Sequence, residues 1–164
     1  MPRASVVLCV FLIAAESIAL ASSARKLSLD DLARQADLIV KGHVQKLLTE
    51  TSPDRSTITT IAVLAVDEQW KGAPASSVSI EQPGGTAGGI TQRVTGGAEF
   101  AVGDRVIVFL EKQGRSRYVT VGGRQGKFLV KTDGQTGSDV VEDLTGARWQ
   151  AGEFVRRLQA AIIR

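Results

Sequence analysis

The first 24 residues constrain this chain more than any other stretch, because they have the pattern of an export signal. Arg3 supplies a positive charge, an apolar run of about ten residues follows, and small residues allow cleavage after Ala21 or Ala24. The only cysteine, Cys9, lies inside the apolar run. We therefore predict a signal peptide over residues 1–24 and an exported protein, periplasmic or secreted, whose mature chain has no thiol.

The mature chain, residues 25–164, has the size of one domain and must fold without disulfides. It is long enough to bury a hydrophobic core, and the absence of cysteine excludes a small disulfide-held scaffold. Retention of the apolar run as an anchor is the alternative to cleavage, although about 20 residues are needed to cross a bilayer. No later segment is long and apolar enough to do so.

Two short helices are predicted, one at each end of the mature chain. Residues 28–36 begin with Ser28 and Asp31 at the spacing of a capping box and place apolar side chains on one face. Residues 151–163 carry an apolar stripe at helical spacing.

Six strands are predicted between the helices, where runs of apolar and β-branched residues alternate with turn residues. These runs cover residues 38–48, 57–69, 77–82, 105–111, 118–121 and 127–131. Gly42 indicates a bulge or bend in the first strand, and residues 113–116 and 122–126 are expected to be hairpin turns. We predict a single α+β, mainly β domain over residues 25–164, with an OB-like curled antiparallel sheet or barrel of five to six strands.

The most unusual stretch of the chain is the glycine-rich connection after the third strand, residues 84–97. Successive glycines can surround an anion with backbone N–H groups, but the Lys-Ser/Thr pair of phosphate-binding loops is missing. A long, mobile hairpin is the better interpretation, and loops of this length inside a compact domain are usually functional or disordered. We predict that this loop binds a partner through Gly84, Gly85, Thr86, Gly88, Gly89 and Arg93.

Four cations lie around two of the predicted turns: Arg115, Arg117, Arg124 and Lys127. They could form a basic patch for an acidic partner or a polyanion. Charges that protect edge strands from aggregation would give the same pattern. The net charge of +3 over the whole chain argues against a strong nucleic-acid binder, so an exported or envelope protein is the favoured partner. The oligomeric state is left open.

His43 is the only histidine of the chain. One histidine without cysteine cannot build an ordinary structural zinc site, and we predict no metal, no cofactor and no catalytic residue. An outward-facing strand histidine is the simplest interpretation of His43. The enzymatic alternative is a hydrolase that uses His43 with Asp37 or a distant serine, although no hydrolase motif is present.

Residues 36–44, Ala-Asp-Leu-Ile-Val-Lys-Gly-His-Val, resemble the first strand of netrin-type and tissue-inhibitor-of-metalloproteinase domains. Residues 100–110 and 122–128 also look like uncharacterised exported bacterial domains of similar organisation. The resemblance implies an OB-like barrel with a partner-binding rim. Those inhibitors ligate a protease's zinc through an N-terminal cysteine and depend on disulfides, so neither property carries over to a mature chain without cysteine.

These observations favour an exported, non-enzymatic protein-binding or inhibitor-like module whose partner surface is the glycine-rich loop. The hydrolase hypothesis comes second. An OB-type oligonucleotide binder comes third, because aromatic residues make up only 5% of the chain and stacking platforms for bases are therefore scarce.

Overall fold

The described part of the chain is α+β and mainly β, which confirms this part of the predicted fold class. A computed structural model describes residues 25–54 and 56–164, so the predicted signal peptide lies outside the described residues. In chain order the elements are α1 (Leu29–Gln35), β1 (Leu38–Thr51), β2 (Ile58–Lys71), β3 (Ser77–Pro83), β4 (Gly85–Ala87), β5 (Ile90–Gln92), β6 (Arg105–Gln113), β7 (Arg117–Thr120), β8 (Lys127–Thr132), β9 (Asp139–Glu142), β10 (Arg148–Gln150) and α2 (Ala151–Ile163). Neither of these helices is long and apolar enough to cross a membrane.

Eight strands form one mixed sheet in the order β1-β2-β3-β7-β6-β8-β9-β10, and β4 and β5 form a separate hairpin. Strand β1 also pairs with β6, so β1, β2, β3, β7 and β6 are paired in a closed cycle. The β3–β7 pair is parallel, with Ile80 opposite Tyr118. The sheet is therefore mixed and has eight strands, which corrects the expected antiparallel sheet of five to six strands. Strands β1 and β3 run in the same direction, because each is antiparallel to β2. Strand β6 is antiparallel to both β1 and β7, so β7 runs in the same direction as β3.

Strand β6 has both faces buried and contributes to two hydrophobic cores. Val106, Val108 and Leu110 belong to the core that β6 shares with β1, β2 and β3. Tyr118 of β7 packs against it, and we call it the five-strand core. Ile107 and Phe109 belong to the core beneath α1, α2, β8 and β9, which we call the helix core. Because successive side chains of a strand point to opposite faces, a run of apolar residues can serve both cores.

The predicted bulge in β1 is confirmed at Gly42. The β1–β2 register shifts between Lys41 and Gly42, and a Cβ atom on Gly42 would lie 2.0 Å from the carbonyl oxygen of Ala65. No side chain fits at this distance, so only glycine allows β2 to approach β1 here.

Both predicted helices are confirmed. The side chain of Ser28 accepts a hydrogen bond from the N–H of Asp31, and the Asp31 carboxylate accepts one from the N–H of Ser28, which completes the capping box of α1. Helix α2 has the predicted bounds and buries the apolar residues Phe154, Leu158 and Ala161.

The connection over residues 122–126 is not the hairpin turn that its glycines predict. Strand β7 places Thr120 opposite Leu110 of β6, whereas β8 places Lys127 opposite Val108 of the same strand. The two strands therefore lie end to end along β6 instead of pairing with each other. A 3-10 turn, Gly123–Gly126, carries the chain from one to the other.

Candidate functional site

The glycine-rich connection predicted to bind a partner contains a small hairpin. Strands β4 and β5 pair antiparallel, with Gly88 and Gly89 in the turn between them. The hydroxyl groups of Thr86 and Thr91 lie 2.9 Å apart across the hairpin. The backbone of this connection is thus organised by its own hydrogen bonds.

The base of the hairpin is tied to the start of β2. The N–H of Gly84 donates to the carbonyl of Ile58 at 2.7 Å, and the N–H of Ile58 donates to Oε1 of Gln92 at 2.7 Å. The Thr60 hydroxyl donates to the carbonyl of Gly84 at 2.7 Å. Gly84 and Gly85 have φ angles of +98° and +139°, and a Cβ atom on Gly85 would lie 2.3 Å from the Thr60 hydroxyl oxygen. Glycine is therefore required where the hairpin leaves the sheet.

A groove of about 400 Å³ lies between this hairpin and the neighbouring strands, and we call it the hairpin groove. Thr49 lies opposite Thr60, and Thr60 lies opposite Gln82, so these three residues form one row across β1, β2 and β3. Directly opposed residues share a face of the sheet, and the row forms the floor of the groove. The walls come from the hairpin and the segment after it, residues 83–86, 91–94 and 97–100.

Gln82 is the unusual residue of this floor. It is 8% exposed, and its Nε2 atom has no hydrogen-bond partner within residues 25–54 and 56–164. A buried polar group without a partner costs about 1–3 kcal/mol. The Nε2 atom itself is buried, so a carbonyl or carboxylate oxygen of a ligand could complete its hydrogen bond once the amide turns towards the groove.

The outer parts of the site are apolar and carry two exposed charged residues, Arg93 and Glu99. Val94, which lines the groove, is 45% exposed, and Ile90, beside the hairpin turn, is 65% exposed. Of the residues predicted to bind a partner, the groove is lined by Gly84, Gly85, Thr86 and Arg93. Gly88 and Gly89 lie at the hairpin turn and do not line it.

The floor residues Thr49, Thr60 and Gln82 are not among those predicted from the sequence. Thr60 and Gln82 could have been found, because each is a polar residue at a position where strand alternation predicts a buried apolar side chain. Thr60 shares its side of β2 with Ile58 and Ala62, and Gln82 shares its side of β3 with the buried Ile80. Such a residue breaks an apolar row and marks the end of a core.

The four residues of the predicted basic patch are divided between two places. Arg115 and Arg117 lie at the β6–β7 turn, whereas Arg124 and Lys127 lie at the other end of β7. Gln113, opposite Arg117, and Val108, opposite Lys127, are five residues apart on β6, which corresponds to about 16 Å.

Two of these cations are already paired. Arg117 contacts the carboxylates of Glu50 at 2.8 Å and Glu81 at 3.3 Å, and its hydrogen bonds to Glu50 and Glu81 raise the pKa of Arg117. Lys127 contacts Asp104 at 2.8 Å and lies 4.7 Å from the centre of the Phe100 ring. The structure therefore does not bring the four charges together into one surface.

His43 contacts an acidic residue that the sequence did not suggest. Its Nδ1 atom lies 3.2 Å from Oδ1 of Asp67, and both side chains are nearly half exposed. Asp37 instead accepts a hydrogen bond from the N–H of Lys112 at 2.8 Å, and it lies six residues before His43, about 20 Å along an extended chain. In the described ranges no serine forms a hydrogen bond with His43, and no three His, Cys, Asp or Glu side chains are placed to hold a metal ion.

An ion pair lies beside His43. Arg105, opposite His43 in the β1–β6 register, donates to Asp139 from both terminal nitrogens, one of them at 3.0 Å. The Arg105 hydrogen bond lowers the pKa of Asp139, and the same bond raises the pKa of Arg105. Both groups are therefore ionised at neutral pH and neutralise each other.

The chain matches no protein-family model, and no curated protein matches its sequence. The resemblance to netrin-type domains therefore stays a prediction from residues 36–44.

Proposed function

We propose that the protein is an exported, non-enzymatic module that binds a partner protein in the hairpin groove. The observation that carries this proposal is the unpaired amide of Gln82 in the groove floor. Buried polar groups are normally hydrogen-bonded, and exceptions call for an explanation such as a ligand. A partner that places a carbonyl or carboxylate oxygen on Nε2 would supply the missing acceptor.

We also propose that the closed cycle of β1, β2, β3, β7 and β6 is an OB-like barrel. Three features support this: the pairing of β1 with β6, the parallel β3–β7 pair, and a core shared by strands of the cycle. The netrin-type resemblance implies the same architecture. The hairpin groove would then lie at one mouth of the barrel, a common place for ligand sites.

The groove suits an extended segment of a partner. The backbone carbonyl of such a segment would accept from Gln82, and an apolar side chain would cover the exposed parts of Ile90 and Val94. Arg93 at the groove wall adds a positive charge that would favour an acidic residue nearby. Hydrogen-bond donors in the floor and apolar contacts at the rim together would give specificity as well as affinity.

Valine substitutions at two exposed positions provide a matched test. Val94 lines the groove, whereas Val102, which is 63% exposed, does not. A V94D substitution should abolish capture of the partner from the compartment to which the protein is exported, because it places a charge against an apolar contact. A V102D substitution makes the same chemical change outside the groove and should leave capture intact.

A photo-crosslinking residue in place of Thr91 would identify the partner directly, because Thr91 lines the groove and is exposed. We expect one adduct from this position and none from the same residue in place of Val102. Equal capture by the V94D and V102D variants, with both proteins folded by circular dichroism, would refute the hairpin groove as the partner surface.

A further inference from the structure

A second groove, also of about 400 Å³, lies on the helix core, away from the hairpin. We call it the aromatic groove, because Phe128, Trp149 and Phe154 form its floor. Their ring centres are 4.9 Å apart for Phe128 and Phe154 and 5.9 Å apart for Trp149 and Phe154. Its volume lies in the range of small-molecule sites, roughly 300–1,000 Å³.

The segment before α1 forms one wall of the aromatic groove. Oε1 of Gln125 accepts a hydrogen bond from the N–H of Leu27 at 2.8 Å, and Nε2 of Gln125 donates to the carbonyl of Arg25 at 3.2 Å. Gln125 belongs to the 3-10 turn between β7 and β8. Two hydrogen bonds thus hold this segment against the turn, and Leu27 of the segment lines the groove.

The interior of the aromatic groove favours a hydrocarbon over a peptide. Within residues 25–54 and 56–164 the one buried, unpaired side-chain polar atom is on Gln82, in the other groove. A bound peptide would bring N–H and C=O groups to an apolar floor, where each would lose its hydrogen bonds to water. A hydrocarbon chain has no such groups, and it would cover the exposed part of Leu144, which is 48% exposed.

Three cations, Lys26, Arg124 and Arg157, and one carboxylate, Asp143, line the aromatic groove. Arg157 contacts Glu153 at 2.7 Å. Burial raises the pKa of Asp143, but hydrogen bonds from Thr145 and Ala147 outweigh it and hold that pKa below its usual range. Asp143 is therefore ionised, and the charge of Lys26 also favours this state, although no ion pair joins the two side chains within the described residues.

Arg124 is the cation of the groove that lies on the 3-10 turn. It is exposed, lines the aromatic groove, and forms no side-chain hydrogen bond or ion pair within the described residues. Its backbone is fixed, because the N–H of Arg124 donates to the carbonyl of Gly96 at 3.0 Å. Together with Lys26, Arg124 therefore gives the rim two cations that form no ion pair within the described residues.

We propose that the aromatic groove binds a single-chain amphiphile with an anionic head, in the form of a monomeric fatty-acid carboxylate. The hydrocarbon chain lies on Phe128, Trp149 and Phe154, and the carboxylate accepts hydrogen bonds from Arg124. The site is independent of the hairpin groove, so either proposal can fail without the other.

Calorimetric titration with decanoate below its micelle concentration tests the head-group preference. We expect decanoate to bind and decyltrimethylammonium, which has the same chain and the opposite charge, to bind at least tenfold more weakly. Octanoate lacks two methylene groups, each contributing up to about fourfold in affinity when buried, so its affinity should be lower by up to about fifteenfold.

Two arginine substitutions locate the head group. R124Q should weaken decanoate binding roughly tenfold or more, because a hydrogen bond to a charged group is lost. R156Q removes the same charge from an exposed arginine of α2 that does not line the groove, and it should leave the affinity unchanged. The change in tryptophan fluorescence caused by decanoate should disappear in W149F.

Three results would overturn the proposal. The first is equal affinity for the anionic and cationic amphiphiles, and the second is an equal effect of R124Q and R156Q. The third is binding to phosphatidylglycerol vesicles without uptake of monomeric decanoate, which would indicate a membrane surface as the partner. Circular dichroism and urea midpoints of all variants exclude unfolding as the cause of lost binding.

Discussion

Replacement of Gln82 by methionine is expected to stabilise the protein and to weaken partner binding at the same time. The amide nitrogen of Gln82 is buried and unpaired, which costs about 1–3 kcal/mol. Methionine has a similar length and no amide, so it removes this cost without leaving a cavity. We expect Q82M to raise the free energy of unfolding by about 1–2 kcal/mol, with a rise of roughly 3–7 °C in Tm.

Gln69 offers a matched control, because its side chain is fully engaged. Its Nε2 atom donates to the carbonyls of Gly72 and Ala73, both at 2.9 Å, and its Oε1 atom accepts from the N–H of Ala75 at 3.2 Å. The same substitution, Q69M, removes these bonds and should lower the free energy of unfolding by about 1 kcal/mol. The same substitution should thus raise the free energy of unfolding at Gln82 and lower it at Gln69.

Urea unfolding followed by circular dichroism measures both variants, and equal m-values would show that the difference lies in stability. Capture of the partner by Q82M should fall although the protein is more stable. A Q82M protein that is less stable than the wild type by 1 kcal/mol or more would refute the reasoning. The Gln82 amide would then be hydrogen-bonded in the folded protein, and the groove would offer no open donor.

Two further predictions concern the fold. The pKa of Asp139 is lowered by Arg105, so this pair adds stability that is present above the unfolded-state pKa of about 3.9 and is lost as the pH falls through the folded-state value. D139N should therefore be less stable than the wild type at pH 7. The difference between their urea midpoints should shrink as the pH is lowered from 7 to 2. A difference that stays constant would contradict a role for the ionised Asp139. G42A should lose about 3 kcal/mol or fail to fold, because the new methyl group would meet the Ala65 carbonyl at 2.0 Å. G134A, at a glycine with no atom within 4 Å of the added methyl group, should change stability by less than about 1 kcal/mol in the same urea assay.

Local patterns in the sequence were sufficient for the helices and the longer strands. The capping box at Ser28 and the apolar stripe of α2 are short-range features, and they fixed both helices. Strands β9 and β10 were missed because Asp139–Glu142 and Arg148–Gln150 are short and their segments are rich in charged and glycine residues. They are strands only because β8 offers a free edge to β9 and β9 offers one to β10.

The candidate site was predictable only in part. Glycine density located the hairpin, but the floor depends on how three strands are aligned, and the shifts of register in β1 near Gly42 and Lys46 change that alignment. For the basic patch, the sequence predicted a cluster that the structure does not form. Arg117 and Lys127 are near each other in the sequence. Strands β7 and β8 lie end to end along β6, however, so the two residues are opposite different parts of that strand and lie far apart in space.

The double burial of β6 has a consequence for how the protein opens. Its backbone is paired with β1 along one edge and with β7 and β8 along the other, and its side chains reach both cores. Neither core can come apart alone without exposing one face of this strand to water. The amide protons of Val106 to Leu110 should therefore exchange with deuterium only when the whole domain unfolds, and the two cores should melt as one cooperative unit.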